Sequence, residues 1–111
     1  MWISEAQYEI FEEIDAEQLE RTTRMLALMA SEMDGFKETR LYVSDDRTAL
    51  TCISFWDGRE PAAMFVQHVL EQGSATLERS YKARMVSARL MERIAAFTAD
   101  DLMGVSTADL Y

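Results

Sequence analysis

The stretch from Asp15 to Gly35 constrains the fold more than any other part of the chain. Leu19, Thr22, Leu26, Met29, Ala30 and Met33 recur at helical spacing and form one apolar stripe. Asp15 stands before the stripe as a helix cap, with Gln18 three residues on in the capping-box position. Asp34-Gly35 ends it, because glycine suits the left-handed position past a helix end. A helix with one apolar stripe must bury that stripe against another layer. Its neighbours in sequence read as strands. Gln7 to Glu13 alternates, with Tyr8 and Ile10 on one face and Phe11 on the other. Phe36 to Val43 is a second strand, and Ser44-Asp45-Asp46-Arg47 is a turn in which short polar side chains bond nearby backbone. Thr48 to Trp56 is the third strand and the most apolar. Leu50, Cys52, Ser54 and Trp56 lie on one face, and Thr51, Ile53 and Phe55 on the other, so both faces ask to be covered.

A second helix is expected from Asp57, read as its cap, with Glu60 at the capping-box position and Pro61 in the first turn. It runs to about Gln72 and turns Ala62, Phe65, Val66 and Val69 inward. Gly73-Ser74 breaks it, and Ser74 caps a further helical stretch with Leu77, Tyr81, Met85 and Ala88 at helical spacing. The last strand falls near Leu90 to Thr98, where Met91, Arg93, Ala95 and Phe97 alternate with Glu92, Ile94 and Ala96. A helix continuing through Ala96 is the alternative, since Ala, Met, Glu and Arg are good helix formers. The order is βαββαβ: an α+β, ferredoxin-like antiparallel sheet with its helices on one face. The 111 residues make a single domain, with a core over about 7–98 and a C-terminal tail over 99–111. The other sheet face has nothing from the same chain to cover it. A second copy is the economical cover, so a homodimer is expected.

The net charge of -9 excludes nucleic acid as a default partner, because phosphates need a positive footprint. Anionic membrane surfaces are disfavoured for the same reason. The charge is uneven. Met1 to Glu20 carries seven acids and no base, whereas Arg79, Lys82, Arg84, Arg89 and Arg93 face only Glu92 between positions 79 and 93. These runs are either solvated faces or surfaces that meet across a sheet or dimer contact. The single cysteine, Cys52, forms no internal disulfide and fits a reducing compartment. The acidic N-terminus lacks the basic start of a signal peptide, and no apolar run approaches a membrane span, so a cytoplasmic location is expected.

Met33-Asp34-Gly35-Phe36, then Leu41-Tyr42-Val43-Ser44, then Phe55-Trp56-Asp57 before a helix, resembles the antibiotic biosynthesis monooxygenase family over about residues 7 to 98. The resemblance implies a dimeric α/β-barrel, in which two ferredoxin-like sheets pack face to face. It also implies a pocket between helices and sheet, and oxygenase chemistry without a cofactor on an aromatic or polyketide-type substrate. Such sites are similar in using an Asn on the first strand, a Trp near the end of the third and a His on the following helix. Trp56 matches in position and His68 loosely, which makes these two the catalytic candidates. This chain contains no Asn, and Gln7 is the amide nearest the expected place.

The residues themselves leave alternatives open. His68 is the only histidine and sits about 120° from the centre of the second helix's inward stripe, as a boundary residue or as a pocket imidazole. Trp56 is either core packing or the wall of a pocket for a flat ligand. Phe65 would line that pocket, and Tyr42 and Tyr81 offer phenols to a substrate or to the core. Arg40 shares a strand face with Tyr42 and either binds a substrate carboxylate or phenolate or pairs with Glu38. Cys52 is either a small core residue or a nucleophile, which would want a cationic, exposed setting. The methionines number eight, among them Met25, Met29, Met33 and Met64, and either fill the core or line an adaptable cavity. One His and one Cys make no closed zinc site, and no phosphate-binding loop is present, so no metal or cofactor is implied. Two functions stand side by side: a cofactor-independent monooxygenase, and a non-catalytic dimeric module that binds a ligand or a partner.

Overall fold

A computed structural model describes residues 1–110, apart from the side chains at positions 72–74, 76, 109 and 110. The elements run β1 (Trp2–Ile10), α1 (Ala16–Ser31), β2 (Phe36–Val43), β3 (Ala49–Trp56), α2 (Arg59–His68), a π-helical turn (Val69–Gly73), α3 (Ser74–Tyr81) and β4 (Ala83–Glu92). The four strands form one sheet in the order β2-β3-β1-β4, and every neighbouring pair is antiparallel. This is the expected βαββαβ arrangement.

Local chemistry explains the best-matched elements. The Asp15 carboxylate accepts the Glu17 amide at 2.9 Å and so caps α1. Gln18 does not close a capping box; its side chain reaches Thr22 instead. Leu19, Thr22, Leu26 and Ala30 are buried, and Met29 lies at the edge of the stripe, half exposed. Gly35 takes φ 86° and its carbonyl accepts the Asp57 amide at 2.8 Å, joining the end of α1 to the end of β3. Alanine there would meet only ordinary contacts with Pro61 and Asp57. The backbone, not crowding, sets its cost. We expect Gly35→Ala to lose about 1–2 kcal/mol, read from the urea midpoint, with the fold retained.

The remaining boundaries differ from the sequence reading, each for a visible reason. β1 begins at Trp2 rather than Gln7. Its inward residues Ser4 and Ala6 are small, which mutes the alternation over the first half. Helix α2 is capped by Gly58, without a side-chain bond, and Asp57 pairs with Lys37 at 3.1 Å. The expected break at Gly73-Ser74 is absent: α2 passes through the π-helical turn directly into α3. The side chain of Ser74, read as a cap, lies outside the described atoms. The last strand is Ala83–Glu92, not Leu90–Thr98, and the continuing helix is not formed either. Two features hide it. Lys82 takes φ 53° and turns α3 straight into β4 without a glycine. The β1–β4 pairing also shifts register between Gln7 and Tyr8, so Met85 and Ala88 both meet inward residues of β1 and a strict period of two is lost.

The core lies between the sheet and the helices. Tyr8, Leu50, Cys52 and Trp56 meet Leu26, Ala30, Phe65 and Tyr81 there. The outer sheet face is less apolar than expected. By register, one cross-strand row is Glu38, Phe55, Ile3 and Met91, and the next is Arg40, Ile53, Glu5 and Arg89. Glu5 is 9 % exposed, bonded by Arg89 at 3.1 Å and by Gln7 at 2.9 Å.

Candidate functional site

The candidate residues fall in three places. Trp56 is fully buried at the end of β3. Its indole N–H donates to Ser4 Oγ at 3.0 Å, and its ring packs against Phe36 and Phe65 at 5.5 and 5.3 Å. That satisfies both its apolar area and its one polar atom. Tyr81 is also fully buried, at the end of α3. Its hydroxyl lies 3.0 Å from Thr23 Oγ, and its ring meets Tyr8 edge-on at 5.3 Å. Arg40 and Tyr42 sit on the outer face, across the sheet from the helices. Arg40 holds Glu38 through two bonds of 2.7 and 3.1 Å, touches the Tyr42 hydroxyl at 3.5 Å and stacks over Phe55 at 4.9 Å. That grip keeps the Glu38 carboxyl below its usual range. Gln7 faces the same way, so it does not replace an inward amide.

His68 ends α2 on the helix surface. With Met29, Glu32, Met33, Met64 and Phe65 it lines an open groove of about 430 Å³ between α1 and α2. Its lining is mostly apolar, and Glu32 and His68 are its polar groups. Phe65 also lines a second space. A half-open space of about 20 Å³ lies among Ser4, Tyr8, Cys52, Ser54, Phe65 and Val69, between the sheet and α2. It has room for one water. Phe65 is therefore the common wall of the outer groove and the inner cavity.

The inner cavity has unusual electrostatics. The Tyr8 hydroxyl is buried and finds no hydrogen-bond partner among the described residues. Burial, with Cys52, Tyr81 and Glu78 close by, pushes its phenol far above the ordinary range. Burial pushes the Cys52 thiol up to about 12 and raises the Tyr81 phenol strongly as well. These groups are neutral at physiological pH and can donate hydrogen bonds without carrying charge. A reactive thiolate needs the opposite surroundings, so Cys52 is no nucleophile. The sequence reading placed Tyr8 on one strand face with Ile10 but gave it no role. The available signal was polar residues at inward positions of apolar strands, Ser4 and Tyr8 on β1 and Ser54 on β3. Among the described residues, no group of three His, Cys, Asp or Glu is placed to hold a metal ion, and no helix is long and apolar enough to cross a membrane.

No protein-family model matches the sequence. No curated protein matches it either. Solved structures do. SnoaB, a cofactor-independent oxygenase from Streptomyces nogalater, is 12% identical, with 86% of this chain and 94% of that one covered at a TM-score of 0.62. A monooxygenase from the ActVA-Orf6 gene of Streptomyces coelicolor, in complex with the ligand nanaomycin D, is 19% identical, with 87% and 90% covered at 0.58. Rv0793 from Mycobacterium tuberculosis is 12% identical, with 88% and 100% covered at 0.57. The chain thus has the ferredoxin-like fold of these structures, the fold implied by its resemblance to the antibiotic biosynthesis monooxygenases.

Proposed function

We propose that this chain is a homodimeric small-molecule-binding protein of the antibiotic biosynthesis monooxygenase type, and that it oxygenates a flat aromatic or polyketide-type substrate without a cofactor. The observation that carries this reading is the double role of Phe65. Phe65 lines both the groove that holds His68 and the inner space bordered by Tyr8, whose hydroxyl is unpartnered among the described residues. A rotation of that one side chain would join the two into a single apolar site with an imidazole at one end and a neutral phenol at the other.

The chemistry follows from what these groups can do. His68 takes a proton from an acidic C–H of the bound substrate, leaving a stabilised carbanion. The carbanion supplies the electrons to dioxygen and forms a hydroperoxide. Loss of water, with a proton returned by His68, leaves a carbonyl where the CH2 stood. One dioxygen is consumed and one water released per substrate. Tyr8 donates its hydrogen bond to the substrate oxygen on which charge develops. Trp56 sits behind Phe65, and Tyr81 holds Tyr8 in place. The apolar walls exclude water.

A second reading is favoured by the size of the inner cavity. At about 20 Å³ with Phe65 as it stands, it admits no aromatic ring, which suits a module that binds in the outer groove without catalysis. One experiment separates the two. An anthrone-type phenol is titrated into the Trp2→Phe protein while the fluorescence of Trp56 and the uptake of oxygen are followed. The oxygenase reading expects quenching together with oxygen uptake, and a fall of about 10²–10⁴ in kcat for His68→Gln with binding kept. Quenching without oxygen uptake establishes the binding module. Neither signal removes the site.

A further inference from the structure

Two pairs of side chains converge on the groove between α1 and α2. Met29 lies in the last turn of α1, and Met33 follows in the turn beyond its end, where its amide still donates to the Ala30 carbonyl at 3.0 Å. Met64 and His68 stand four residues apart on α2, so they share one helix face. All four line the same open groove, together with Glu32 and Phe65. Core packing accounts for Met33, which is partly buried. It does not account for Met29 and Met64, which are 49 % and 60 % exposed. His68 is exposed as well, so an ion reaches these side chains directly from solvent. The groove thus gathers three thioether sulfurs and one imidazole from two neighbouring elements. Thioethers lie outside the His, Cys, Asp and Glu groupings excluded above.

We propose that this groove is a binding site for a soft monovalent cation, Cu(I), with Met29, Met33, Met64 and His68 as its ligands. The inference goes beyond the oxygenase reading and does not depend on it. The donor set selects the ion. Magnesium and calcium take oxygen ligands, and zinc takes thiolate, imidazole and carboxylate. Thioethers select Cu(I), and imidazole binds copper too. All four donors are neutral in the bound state, so a singly charged ion leaves little charge to balance. Glu32 stands on the same wall as the groove's carboxylate, and the chain carries a net charge of -9, so the surrounding field attracts a cation. The groove, at about 430 Å³, is wider than a bare ion needs. The methionine side chains are unbranched, and their three rotatable bonds let the sulfurs close on the ion. A bound ion occupies the imidazole nitrogen that the oxygenase reading gives to proton transfer, so Cu(I) and that reaction exclude each other.

The test uses the full chain, labelled with carbon-13 at the methionine methyl groups. Cu(I) is added without oxygen against bicinchoninate as competing chelator, and native mass spectrometry gives the stoichiometry. We expect one ion per chain. The methyl signals of Met29, Met33 and Met64, assigned from single Met→Leu variants, should shift, while those of Met1 and Met103, exposed outside the groove, stay in place. Met29→Leu/Met64→Leu and His68→Gln should each weaken Cu(I) binding by about 10–100-fold or more, since losing a ligand costs at least as much as losing its outer-shell partner. Leucine for methionine conserves volume, so the far-ultraviolet circular dichroism of the double variant should match the wild type. Cys52→Ser should bind as the wild type does, because the thiol is buried away from the groove. Failure to take Cu(I) from the chelator overturns the site. So does binding that survives both groove variants, or binding lost in Cys52→Ser, which places the ion on the thiol. Oxygen uptake by the metal-free protein is followed separately and bears only on the oxygenase reading.

Discussion

Trp56→Ala should cost about 3–5 kcal/mol, the largest loss of any single truncation in this chain. The side chain is fully buried and packs against Phe36 on one side and Phe65 on the other. Truncation leaves a cavity that the rigid end of the sheet cannot close, because Trp56 pairs with both Trp2 and Phe36 across the strands. It also removes the donor held by Ser4 Oγ, a buried acceptor. Trp56→Phe separates the two contributions. It keeps the aromatic contacts and should cost only about 1–2 kcal/mol, mostly the lost hydrogen bond and the smaller ring. Urea unfolding followed by far-ultraviolet circular dichroism measures both. A loss below about 1 kcal/mol for Trp56→Ala would mean that the indole is not a core element, and would restore it as a ligand-facing wall.

What was legible in the sequence follows the strength of local signals. The α1 stripe and its Asp15 cap each have one physical cause within a few residues, and Leu19, Thr22, Leu26 and Ala30 are buried as read, while the helix itself ends at Ser31 and Gly35 is left-handed in the turn that leads to β2. The hairpin of β2 and β3 was equally clear, because Ser44 and Asp46 bond the backbone of the turn they start. β4 was hidden because its end-to-end logic is not local: a left-handed Lys82 and a bulge opposite Gln7 and Tyr8 are set by the sheet. The site divided for a related reason. Arg40 and Tyr42 share a face, as period two requires, and Arg40 pairs with Glu38, but only the sheet order shows that this face is opposite to His68. No periodicity reveals that Phe65 stands between two spaces, or that the Tyr8 hydroxyl lacks a partner, because both depend on how α2 lies across β1.

Alkaline unfolding should be steep, beginning near pH 9 and complete by about pH 12. Cys52, Tyr8 and Tyr81 are all held neutral by burial, and each has a higher pKa folded than unfolded. In the unfolded chain the thiol ionises near pH 9 and the phenols near pH 10, as their ordinary values dictate. Above those values the unfolded state binds fewer protons than the folded one, so stability is fully present below pH 9 and falls as pH rises. Each group removes about 1.4 kcal/mol per pH unit while only the unfolded form is ionised. Cys52 acts alone between pH 9 and 10. All three together then remove about 4 kcal/mol per unit, enough to exhaust the roughly 5–15 kcal/mol of a small domain within two or three units. Two of the four tyrosines should therefore become phenolate only as the far-ultraviolet signal is lost. Tyr8→Phe supplies the internal check. It removes one of the three groups and also the unpartnered hydroxyl, so the slope should fall by about a third while stability at neutral pH is kept or rises by about 1 kcal/mol. Phenolate absorbance from all four tyrosines in a chain that is still folded would show that the cluster is open to solvent.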